Sequence, residues 1–513
     1  MDMNAVTADT ASGRTLWNLA EHWSSTRSLE TFLTFATPEG SASQLTWQRF
    51  VEECALLRER LAAIGVGQQR TVVMALPNSP TAVELWLATI ANGAVIQAID
   101  ADSGAIVFER SLRSTDPVAV LAAPENAEAA RTALSAVESS AHLLVIDDGV
   151  IAGLGTARAT PGESTPESLA GMLPTSGTSG APKLVELTNR NYVMAGERLA
   201  RNSGFLTSDR HFLCTPFFHT NGQLYLVVPP FITGGSLALV PKFSASGYFR
   251  SARELGATVS SMVAPPMRMA LRRAAESGET VDPGDLRLIQ YGMTMSAADW
   301  ADWDRLVPQI AMRQIYGQTE SVTGVLGGSP WEADDRVTIG RPFIGVPAVR
   351  LVGDDGADVP DGEPGELWVE GTPGSTLMRG YHDAPEATAK SLVDGRWLRT
   401  GDVMVRHPDG RFEFRGRQLH IIRRGGENLS TYALEIDLQA CPLVADVAVT
   451  AREDDVLDAT VVAHVIPGEG YSEDAFLRWC RDNLGKRGVP DHIREHADFP
   501  RTPSGRVIAR ELG

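Results

Sequence analysis

The sequence predicts an α/β protein in which a large N-terminal domain is followed by a small α+β domain. Three observations predict this class. Short apolar strands alternate with helices in the first part of the chain, and the same alternation returns over residues 211–345. Short antiparallel strands follow up to Gly416, and the pattern changes again near Leu419. A chain of 513 residues is also too long for one ordinary core, so at least two domains are expected.

The first elements are predicted from hydrophobic spacing. Apolar residues recur at helical spacing over 47–64, and Gly65 ends that helix. Residues 70–76 form a short apolar run rich in β-branched residues, which predicts a buried strand. A helix over 82–91 and strands over 94–99 and 118–122 follow. Strand, helix and strand in succession predict parallel sheet units with right-handed crossovers.

The later elements have a different character. Strands over 349–352, 366–370 and 411–415 are separated by Asp-Gly and Pro-Gly turns, which predicts a small antiparallel β unit. The last segment is predicted to contain strands at 420–424, 444–450 and 460–466 and helices at 432–440 and 472–484. We therefore place the domain boundary between residues 417 and 418, giving domains 1–417 and 418–513.

Composition excludes several classes of function. The net charge of −18 offers no broad basic surface for a nucleic acid. The N-terminus lacks the basic and apolar regions of a signal peptide, and no apolar run is long enough to span a membrane. The four cysteines are far apart and show no metal-ligand spacing. A cytoplasmic protein with reduced thiols, without a membrane or nucleic-acid partner, is predicted.

A stretch rich in hydroxyl residues and glycine precedes Lys183. Its small residues are Thr175, Ser176, Gly177, Thr178, Ser179 and Gly180. The backbone N–H groups and hydroxyls of such a loop can surround phosphate oxygens, and Lys183 adds a positive charge. Ala181 and Pro182 separate the last glycine from the lysine, so this is not a Walker A loop. A flexible surface loop is the alternative interpretation.

Further segments combine residue types that are common in active sites. They are the stretches 217–222 (Phe-Phe-His-Thr-Asn-Gly), 316–320 (Tyr-Gly-Gln-Thr-Glu), 399–402 (Arg-Thr-Gly-Asp), 423–428 (Arg-Arg-Gly-Gly-Glu-Asn) and 500–506 (Pro-Arg-Thr-Pro-Ser-Gly-Arg). Each has an ordinary structural interpretation when taken singly. His219 could be a hydrogen-bonded structural histidine, Phe217 and Phe218 could be core, and Asp402 could cap a turn.

In this order and spacing, the segments resemble the adenylate-forming superfamily, which includes acyl-CoA synthetases, non-ribosomal adenylation domains and firefly luciferase. The resemblance extends from about residue 45 to residue 512 and is closest in kind to acyl-CoA ligases. It implies a large N-terminal domain of two α/β subdomains plus a small β unit. A small mobile α+β C-terminal domain that rotates about a hinge is also implied.

The resemblance assigns roles to matching positions. Thr175 to Gly180 and Lys183 match the phosphate loop, and Tyr316 with Gly317 matches the motif whose aromatic ring stacks on adenine. Thr319 matches the residue at the α-phosphate, and Glu320 the carboxylate that binds Mg²⁺. The remaining matches are Asp402 and Arg417 at the ribose, His219, Phe218 and Gly222 beside the acyl carboxylate, and Gly425 and Gly426 at the pantetheine tunnel.

Three positions depart from the family pattern. The segment upstream of the aromatic motif reads Gly292, Met293, Thr294 and Met295, and its methionines predict an adaptable apolar acyl pocket, with gap-filling core as the alternative. Leu419 replaces the charged hinge residue. Arg506 replaces the lysine that ends the C-terminal motif.

Arg506 bears on the first half of the family reaction, in which a carboxylate attacks the α-phosphorus of ATP and forms acyl-AMP. The family lysine is a compact cation at that phosphate, whereas an arginine is larger and its charge is spread over a planar fork. A general preference for arginine is the alternative explanation, since 42 of the 46 basic residues are arginine. Lys183 is nevertheless retained. After the predicted hinge, Lys486 is the only lysine in the sequence.

The sequence thus predicts an acyl-CoA ligase whose adenylation step is impaired and whose thioester-forming step is retained. Acyl transfer to a carrier protein or an amine, and a catalytically silent acyl-adenylate binder, are the alternatives. The implied ligands are ATP or AMP (as the acyl-adenylate), coenzyme A, Mg²⁺ and a carboxylic acid, which Phe217, Phe218 and the methionines predict to be apolar and bulky. A partner adenylating ligase and a homodimer stay open.

Overall fold

The computed structural model describes residues 13–36, 42–175, 183–278, 280–292, 295, 297–330, 335–353, 355–417, 421–500, 507 and 512. Within these residues the chain forms 13 α-helices and 27 β-strands in four sheets. The first region contains α1 (Leu16–Thr26), β1 (Thr31–Ala36), β2 (Ala42–Thr46), α2 (Trp47–Ala63), β3 (Thr71–Ala75), α3 (Pro80–Ala91), β4 (Val95–Ala98), α4 (Ala105–Thr115), β5 (Ala119–Ala122), α5 (Ala127–Ala136), β6 (His142–Asp147), β7 (Val150–Ala152), β8 (Leu169–Thr175) and β9 (Lys183–Thr188).

The second region repeats the alternation of helices and strands. It contains α6 (Asn189–Ser203), β10 (Arg210–Leu213), a π-helical segment (Asn221–Val227), α7 (Val228–Thr233), β11 (Ser236–Leu239), α8 (Tyr248–Glu254), β12 (Val259–Val263), α9 (Ala264–Ser277), β13 (Leu288–Gly292), α10 (Ala297–Leu306), β14 (Ala311–Gly317), β15 (Gly324–Gly327) and β16 (Arg341–Pro342).

The third region is mainly β, and the fourth mixes both element types. The third contains β17 (Val349–Val352), β18 (Pro364–Glu370), β19 (Gly380–Tyr381), α11 (Pro385–Ser391), β20 (Leu392–Val393), β21 (Trp397–Arg406) and β22 (Phe412–Arg417). The fourth contains β23 (Ile421–Arg424), β24 (Glu427–Ser430), α12 (Thr431–Gln439), β25 (Val444–Asp454), β26 (Asp458–Pro467), α13 (Glu473–Leu484), a 3₁₀ turn (Lys486–Gly488) and β27 (His492–Glu495).

Two large sheets form the body of the molecule. One has the order β19-β9-β8-β4-β3-β5-β6-β7 and the other β16-β15-β14-β13-β12-β10-β11-β1-β2. Their central pairs are parallel and their outer pairs antiparallel. The predicted class, with two α/β subdomains in the large domain, is confirmed.

Local sequence accounts for where the early helices begin. The Thr46 hydroxyl accepts a hydrogen bond from the Arg49 amide and caps α2. Ser79 caps α3 in the same way, and Pro80 occupies the first turn, where a missing N–H costs no hydrogen bond. The helix predicted over 82–91 therefore starts two residues earlier.

The third and fourth sheets are antiparallel apart from one pair and lie on either side of the predicted boundary. β22 pairs with β21 in the third sheet, whereas β23 pairs with β24 and β26 in the fourth. The fourth sheet has its own core, in which Leu438, Phe476 and Cys480 are fully buried. Among the residues that the structure describes, no helix is long and apolar enough to cross a membrane.

Candidate active site

A cavity of about 360 Å³ opens at the carboxyl ends of β12, β13 and β14. The residues that end these strands, Val263, Gly292 and Gly317, all line it. Clefts at this edge of a parallel sheet are where α/β proteins bind ligands. Ten of the residues singled out in the sequence line the cavity: Thr175, His219, Gly292, Tyr316, Gly317, Thr319, Glu320, Asp402, Gly425 and Gly426.

A buried carboxylate is held on one side of the cavity. Asp402 is 3% exposed, and its Oδ2 accepts hydrogen bonds of 2.7 Å from the Tyr316 hydroxyl and from Gln318 Nε2. Gln318 Nε2 also donates to the Thr400 carbonyl oxygen at 2.8 Å. The antiparallel sheet supplies Asp402 and the end of β14 supplies Tyr316, so these bonds connect the β unit to the second large sheet.

Hydroxyl and carboxylate groups continue from this side toward β9. The Thr319 and Thr220 hydroxyl oxygens are 2.7 Å apart, and Glu320 Oε1 accepts a bond of 2.8 Å from the Tyr381 hydroxyl. The Lys183 ammonium lies 4.7 Å from the centroid of the Tyr381 ring, a cation–π contact. Lys183 and Glu320 thus both contact Tyr381, which places them close to each other.

The backbone after Glu320 is strained. Val322 is 1% exposed and has φ +70°, a conformation that β-branched residues rarely adopt. Backbone strain of this kind is concentrated at functional sites, where the surrounding structure maintains it.

His219 lies on the cavity wall in a segment that the first sheet holds in place. Buried Asn78, just after β3, donates to the Thr215 carbonyl oxygen at 3.0 Å and accepts from the Phe217 amide at 2.9 Å. His219 Nε2 lies 2.9 Å from Arg487 Nη1. Burial, and then the positive charge of Arg487, lower the pKa of His219 to about 3. The imidazole is therefore neutral at ordinary pH.

Four polar residues form what we call the polar wall (Thr215, Asn221, Ser261 and Gln290), and hydrogen bonds join the first three of them. The Thr215 hydroxyl donates to Asn221 Oδ1 at 2.9 Å, and Asn221 Nδ2 donates to Ser261 Oγ at 2.7 Å. Ser261 and Gln290 are register partners on β12 and β13, so their side chains lie next to each other on one face of the sheet. All four residues line the cavity.

Asn221, which donates to Ser261 on β12, is the first residue of the π-helical segment. A π-helix is wider than an α-helix, is rare, and occurs often at functional sites. It begins at Asn221, where Gly222 packs so tightly that a Cβ would lie 2.4 Å from the Pro216 carbonyl oxygen. Gly222 therefore permits a close backbone approach and does not itself line the cavity.

The loop between β23 and β24 closes the cavity on the side of the small domain. Gly425 and Gly426 have φ +58° and +90°. A Cβ on Gly426 would lie 2.0 Å from Val263 Cγ2, whereas a Cβ on Gly425 would lie 3.7 Å from its nearest neighbour, Leu457. Only glycine can therefore bring the backbone at position 426 this close to β12.

Three of the residues expected to form an apolar pocket pack in cores. Phe217 and Phe218 are 1% and 6% exposed and belong to the main core, and Met295 is 5% exposed and packs in the core behind β12–β14. None of the three lines the cavity. Phe217, Phe218 and Met295 are therefore core residues, whereas Met293 lies outside the described residues, and the apolar character of the acid stays a prediction.

Several predicted residues lie outside the described part of the chain: Ser176, Gly177, Thr178, Ser179, Gly180, Met293, Thr294, Leu419 and Arg506. For Arg417 the structure describes only the backbone, as the last residue of β22. The roles assigned to these residues stay predictions.

Four functional candidates were missed in the sequence: Gln318, Asn221, Ser261 and Arg487. Gln318 and Asn221 stand inside quoted motifs, so their amides were a usable signal. Ser261 lies in a predicted αβ repeat and Arg487 in an unassigned turn, and neither carries a local signal.

The described residues contain no group of three or more His, Cys, Asp or Glu side chains placed to hold a metal ion. Glu320 offers one carboxylate at the cavity. Mg²⁺ is commonly bound by one or two carboxylates together with substrate phosphates, so a single carboxylate fits such a site.

Comparison with known proteins gives two family matches. The AMP-binding enzyme model matches residues 20–382, and the model of the AMP-binding enzyme C-terminal domain matches residues 434–506. Crotonobetaine/carnitine–CoA ligases of Salmonella enteritidis PT4 and Salmonella typhi are 28% and 29% identical, over 96% of this chain and 98% of theirs.

Solved structures share the fold. An amide bond synthetase from Marinactinospora thermotolerans matches with a TM-score of 0.82 at 23% identity, covering 97% of this chain and 99% of that one. A double mutant of o-succinylbenzoate CoA synthetase from Bacillus subtilis, bound to a product analogue, matches with a TM-score of 0.81 at 21% identity, covering 98% of both chains. Since the family models match most of its length, this chain belongs to the AMP-binding enzymes, the adenylate-forming superfamily.

Proposed function

We propose that this protein is an acyl-CoA ligase whose main reaction is the thioester-forming half, acyl-AMP plus CoA to acyl-CoA plus AMP. The observation that carries the proposal is the contact between Gly426 and Val263, which brings the small domain's glycine loop to the cavity edge. In this family that loop borders the pantetheine route once the small domain has rotated. Arg506 supports the same half-reaction, because it replaces the lysine of the adenylation step.

The reaction balances without a further co-reactant. The CoA sulfur forms a bond to the acyl carbon, the bond from that carbon to the phosphate oxygen breaks, and AMP leaves with the electron pair. The thiol proton is released to solvent. Negative charge develops on the acyl oxygen during attack, so hydrogen-bond donors near the acyl carbon are the groups expected to accelerate the step.

The residues that would hold the adenylate fit the cavity. Tyr316 offers an aromatic face for adenine, Asp402 a buried carboxylate for the ribose hydroxyls, and Thr319 a hydroxyl for the α-phosphate. Glu320 would supply the carboxylate for Mg²⁺. ATP, as the adenylating substrate of the family, would add pyrophosphate as a leaving group, and the Thr175–Lys183 stretch is proposed to bind it.

CoA is the acceptor we favour, because the crotonobetaine/carnitine–CoA ligases match over nearly their whole length. Transfer to an amine or a carrier protein is the second candidate, because the fold also matches that of an amide bond synthetase.

One experiment distinguishes the two candidate acceptors. Purified protein receives acyl-AMP with CoA, with a primary amine, or with neither, and separately receives acid, ATP and CoA. Thioester from acyl-AMP, with little product from acid and ATP, supports the proposal; amide as the faster product would replace it.

The acid is proposed to carry a hydrogen-bonding group. Asn221 belongs to the segment that the family places beside the acyl carboxylate, and it donates to Ser261. Since Ser261 Oγ accepts that bond, the Ser261 hydroxyl proton is directed to another acceptor, and Ser261 lines the cavity. A hydroxyl, carbonyl or amide on the acyl chain could accept it.

Matched pairs of acyl-adenylates in which hydroxyl replaces methyl test this proposal. We expect the hydroxyl member to have the higher kcat/KM, and Ser261→Ala to reduce that preference by about 0.5–1.5 kcal/mol, or roughly two- to tenfold. Ser260→Ala, on the opposite face of the same strand, is the control. Preference for the methyl member in the unaltered enzyme would contradict the assignment.

Asp402 is expected to determine nucleotide affinity. Asp402→Asn should weaken AMP binding by about 1–3 kcal/mol, because a charge-assisted hydrogen bond to the ribose is lost while the side-chain volume is kept. Calorimetry with AMP measures the effect. Tyr316→Phe, which removes the hydroxyl donor to Asp402 but keeps the aromatic ring, should weaken binding less. Equal affinity in the Asp402→Asn variant and the unaltered protein would remove Asp402 from the ribose site.

A further inference from the structure

Arg487 reaches from the small domain into the large one. It stands on the 3₁₀ turn after α13 and makes three different contacts there. Its guanidinium forms an ion pair with Asp100, lies 4.6 Å from the centroid of the Phe218 ring, and places Nη1 2.9 Å from His219 Nε2. The Arg487 side chain is thus held by an ion pair, a cation–π contact and a hydrogen bond, which together fix its position and its orientation.

The interface beside Arg487 is built for close approach. A Cβ on Gly485 would lie 1.9 Å from the Asp102 carbonyl oxygen, and a Cβ on Gly104 would lie 2.4 Å from the Asn483 carbonyl. Two glycines therefore let the backbones of α4 and α13 meet at their ends. A second ion pair, between Arg110 and Asp437, joins the same two domains away from the cavity.

Arg424 connects Arg487 to the glycine loop. Its Nη1 donates to the carbonyl oxygens of Arg487 and Val489, each at 3.1 Å, and its Nη2 donates to Asp491 Oδ1 at 2.6 Å. Gly425 follows Arg424 directly in the chain. Arg424 therefore holds the turn that carries Arg487 against the loop that contacts Val263, so both move as one unit when the small domain docks.

The contact determines which form of His219 is present. Arginine has N–H donors and no acceptor, so His219 Nε2 must accept the hydrogen bond from Arg487. A neutral imidazole that accepts at Nε2 carries its proton on Nδ1. The guanidinium charge also polarises the ring, which makes Nδ1–H a stronger hydrogen-bond donor.

We propose that Arg487 is a positioning residue for thioester formation: when the small domain is docked, it holds His219 as a neutral, Nδ1-protonated donor on the cavity wall. The proposal rests on the proposed function, since the donor is assigned to the acyl oxygen that becomes negative during thiol attack. When the small domain leaves for the adenylation arrangement, Arg487 leaves with it and Nε2 of His219 loses that donor. One residue thereby couples domain position to the chemical state of His219.

Arg487→Met tests the catalytic part, because methionine fills space but donates no hydrogen bond. The assay is a single-turnover reaction of acyl-AMP with CoA, using the adenylate of the hydroxyl–methyl pairs that reacts fastest. We expect the rate to fall about 10- to 100-fold, which is no more than the loss of rate when an oxyanion donor itself is removed. The Kd for acyl-AMP should change little. Arg110→Met is the matched control: it breaks a different interdomain ion pair, away from the cavity, and should change the rate less than threefold.

A double-mutant cycle with His219→Ala identifies the path of the effect. If Arg487 acts through His219, the double variant should be no slower than His219→Ala alone. Additive losses, or equal losses in Arg487→Met and Arg110→Met, would overturn the proposal and leave Arg487 a docking contact. Arg487→Lys should restore part of the rate, because an ammonium also donates to Nε2.

Nitrogen-15 NMR of histidine-labelled protein gives a readout that is independent of turnover. The His219 signals, assigned by their loss in His219→Gln, should show protonation at Nδ1 in the unaltered protein and a mixture of tautomers in Arg487→Met. An Nε2-protonated ring in the unaltered protein would refute the proposal. If no acyl-adenylate is converted at all, the proposed function fails, while this measurement still decides whether Arg487 sets the tautomer.

Discussion

Gly426→Ala is expected to slow thioester formation from supplied acyl-AMP and CoA by about a hundredfold. The new Cβ would lie 2.0 Å from Val263 Cγ2 and 2.9 Å from Val263 Cβ, so the loop must move away from β12 by about an ångström. A shift of that size at a reacting centre costs on the order of a hundredfold in rate. The φ of +90° at this position adds backbone strain for any residue with a side chain.

The chain offers a matched control and a rescue for this prediction. Gly425→Ala adds the same methyl group one residue earlier, where φ is also positive (+58°) but the nearest atom would be 3.7 Å away, so it adds backbone strain without the clash and should slow the reaction much less. Val263→Ala combined with Gly426→Ala should recover part of the rate, because it removes the Cγ2 atom that clashes. Affinity for acyl-AMP should stay within a few-fold in all variants. Equal losses at 425 and 426, or no recovery in the double variant, would mean that the contact with Val263 is not what matters.

The elements of the fold follow from local sequence more readily than their arrangement. The helix over 47–64 and the strand over 70–76 are confirmed as α2 and β3, because spacing, capping and β-branched composition are local properties. The position of β1 is different. It lies beside β11, with Leu33 opposite Leu237, in the sheet that otherwise contains strands from β10 onward and β2. A pairing across two hundred residues leaves no periodic signal in either strand.

The candidate site shows the same division. Motif residues such as Tyr316 and Asp402 could be found in the sequence because each stands in a short pattern of unusual composition. Both residues line the cavity. Ser261 and Gln290 stand on neighbouring strands with ordinary strand sequences, and only their register makes them a wall. Arg487 meets His219 only because two domains dock. Phe217, Phe218 and Met295 illustrate the same limit, because they pack in cores that the sequence could not distinguish from the cavity.

Arg506→Lys is expected to increase acyl-AMP formation from acid and ATP, measured as pyrophosphate release, by about 10- to 100-fold over the unaltered protein. The transition state of that step concentrates negative charge between the α-phosphate and the attacking carboxylate, where a compact ammonium would fit and a planar guanidinium would displace the reacting groups. Thioester formation from supplied acyl-AMP should hardly change, since the family places this residue away from the cavity in the thioester-forming arrangement.

Arg478→Lys, an exposed position on α13 of the same domain, is the control for a general effect of lysine and should leave both half-reactions unchanged. Fast pyrophosphate release from the unaltered protein and from Arg506→Lys alike would show that arginine suffices and that the enzyme is an ordinary two-step ligase. Absence of release from both would place the defect elsewhere, and Leu419 in the hinge is then the next position to change. A gain confined to the first half-reaction is the one result that assigns the block to residue 506, because a change in folding, docking or CoA access would alter the second half-reaction as well.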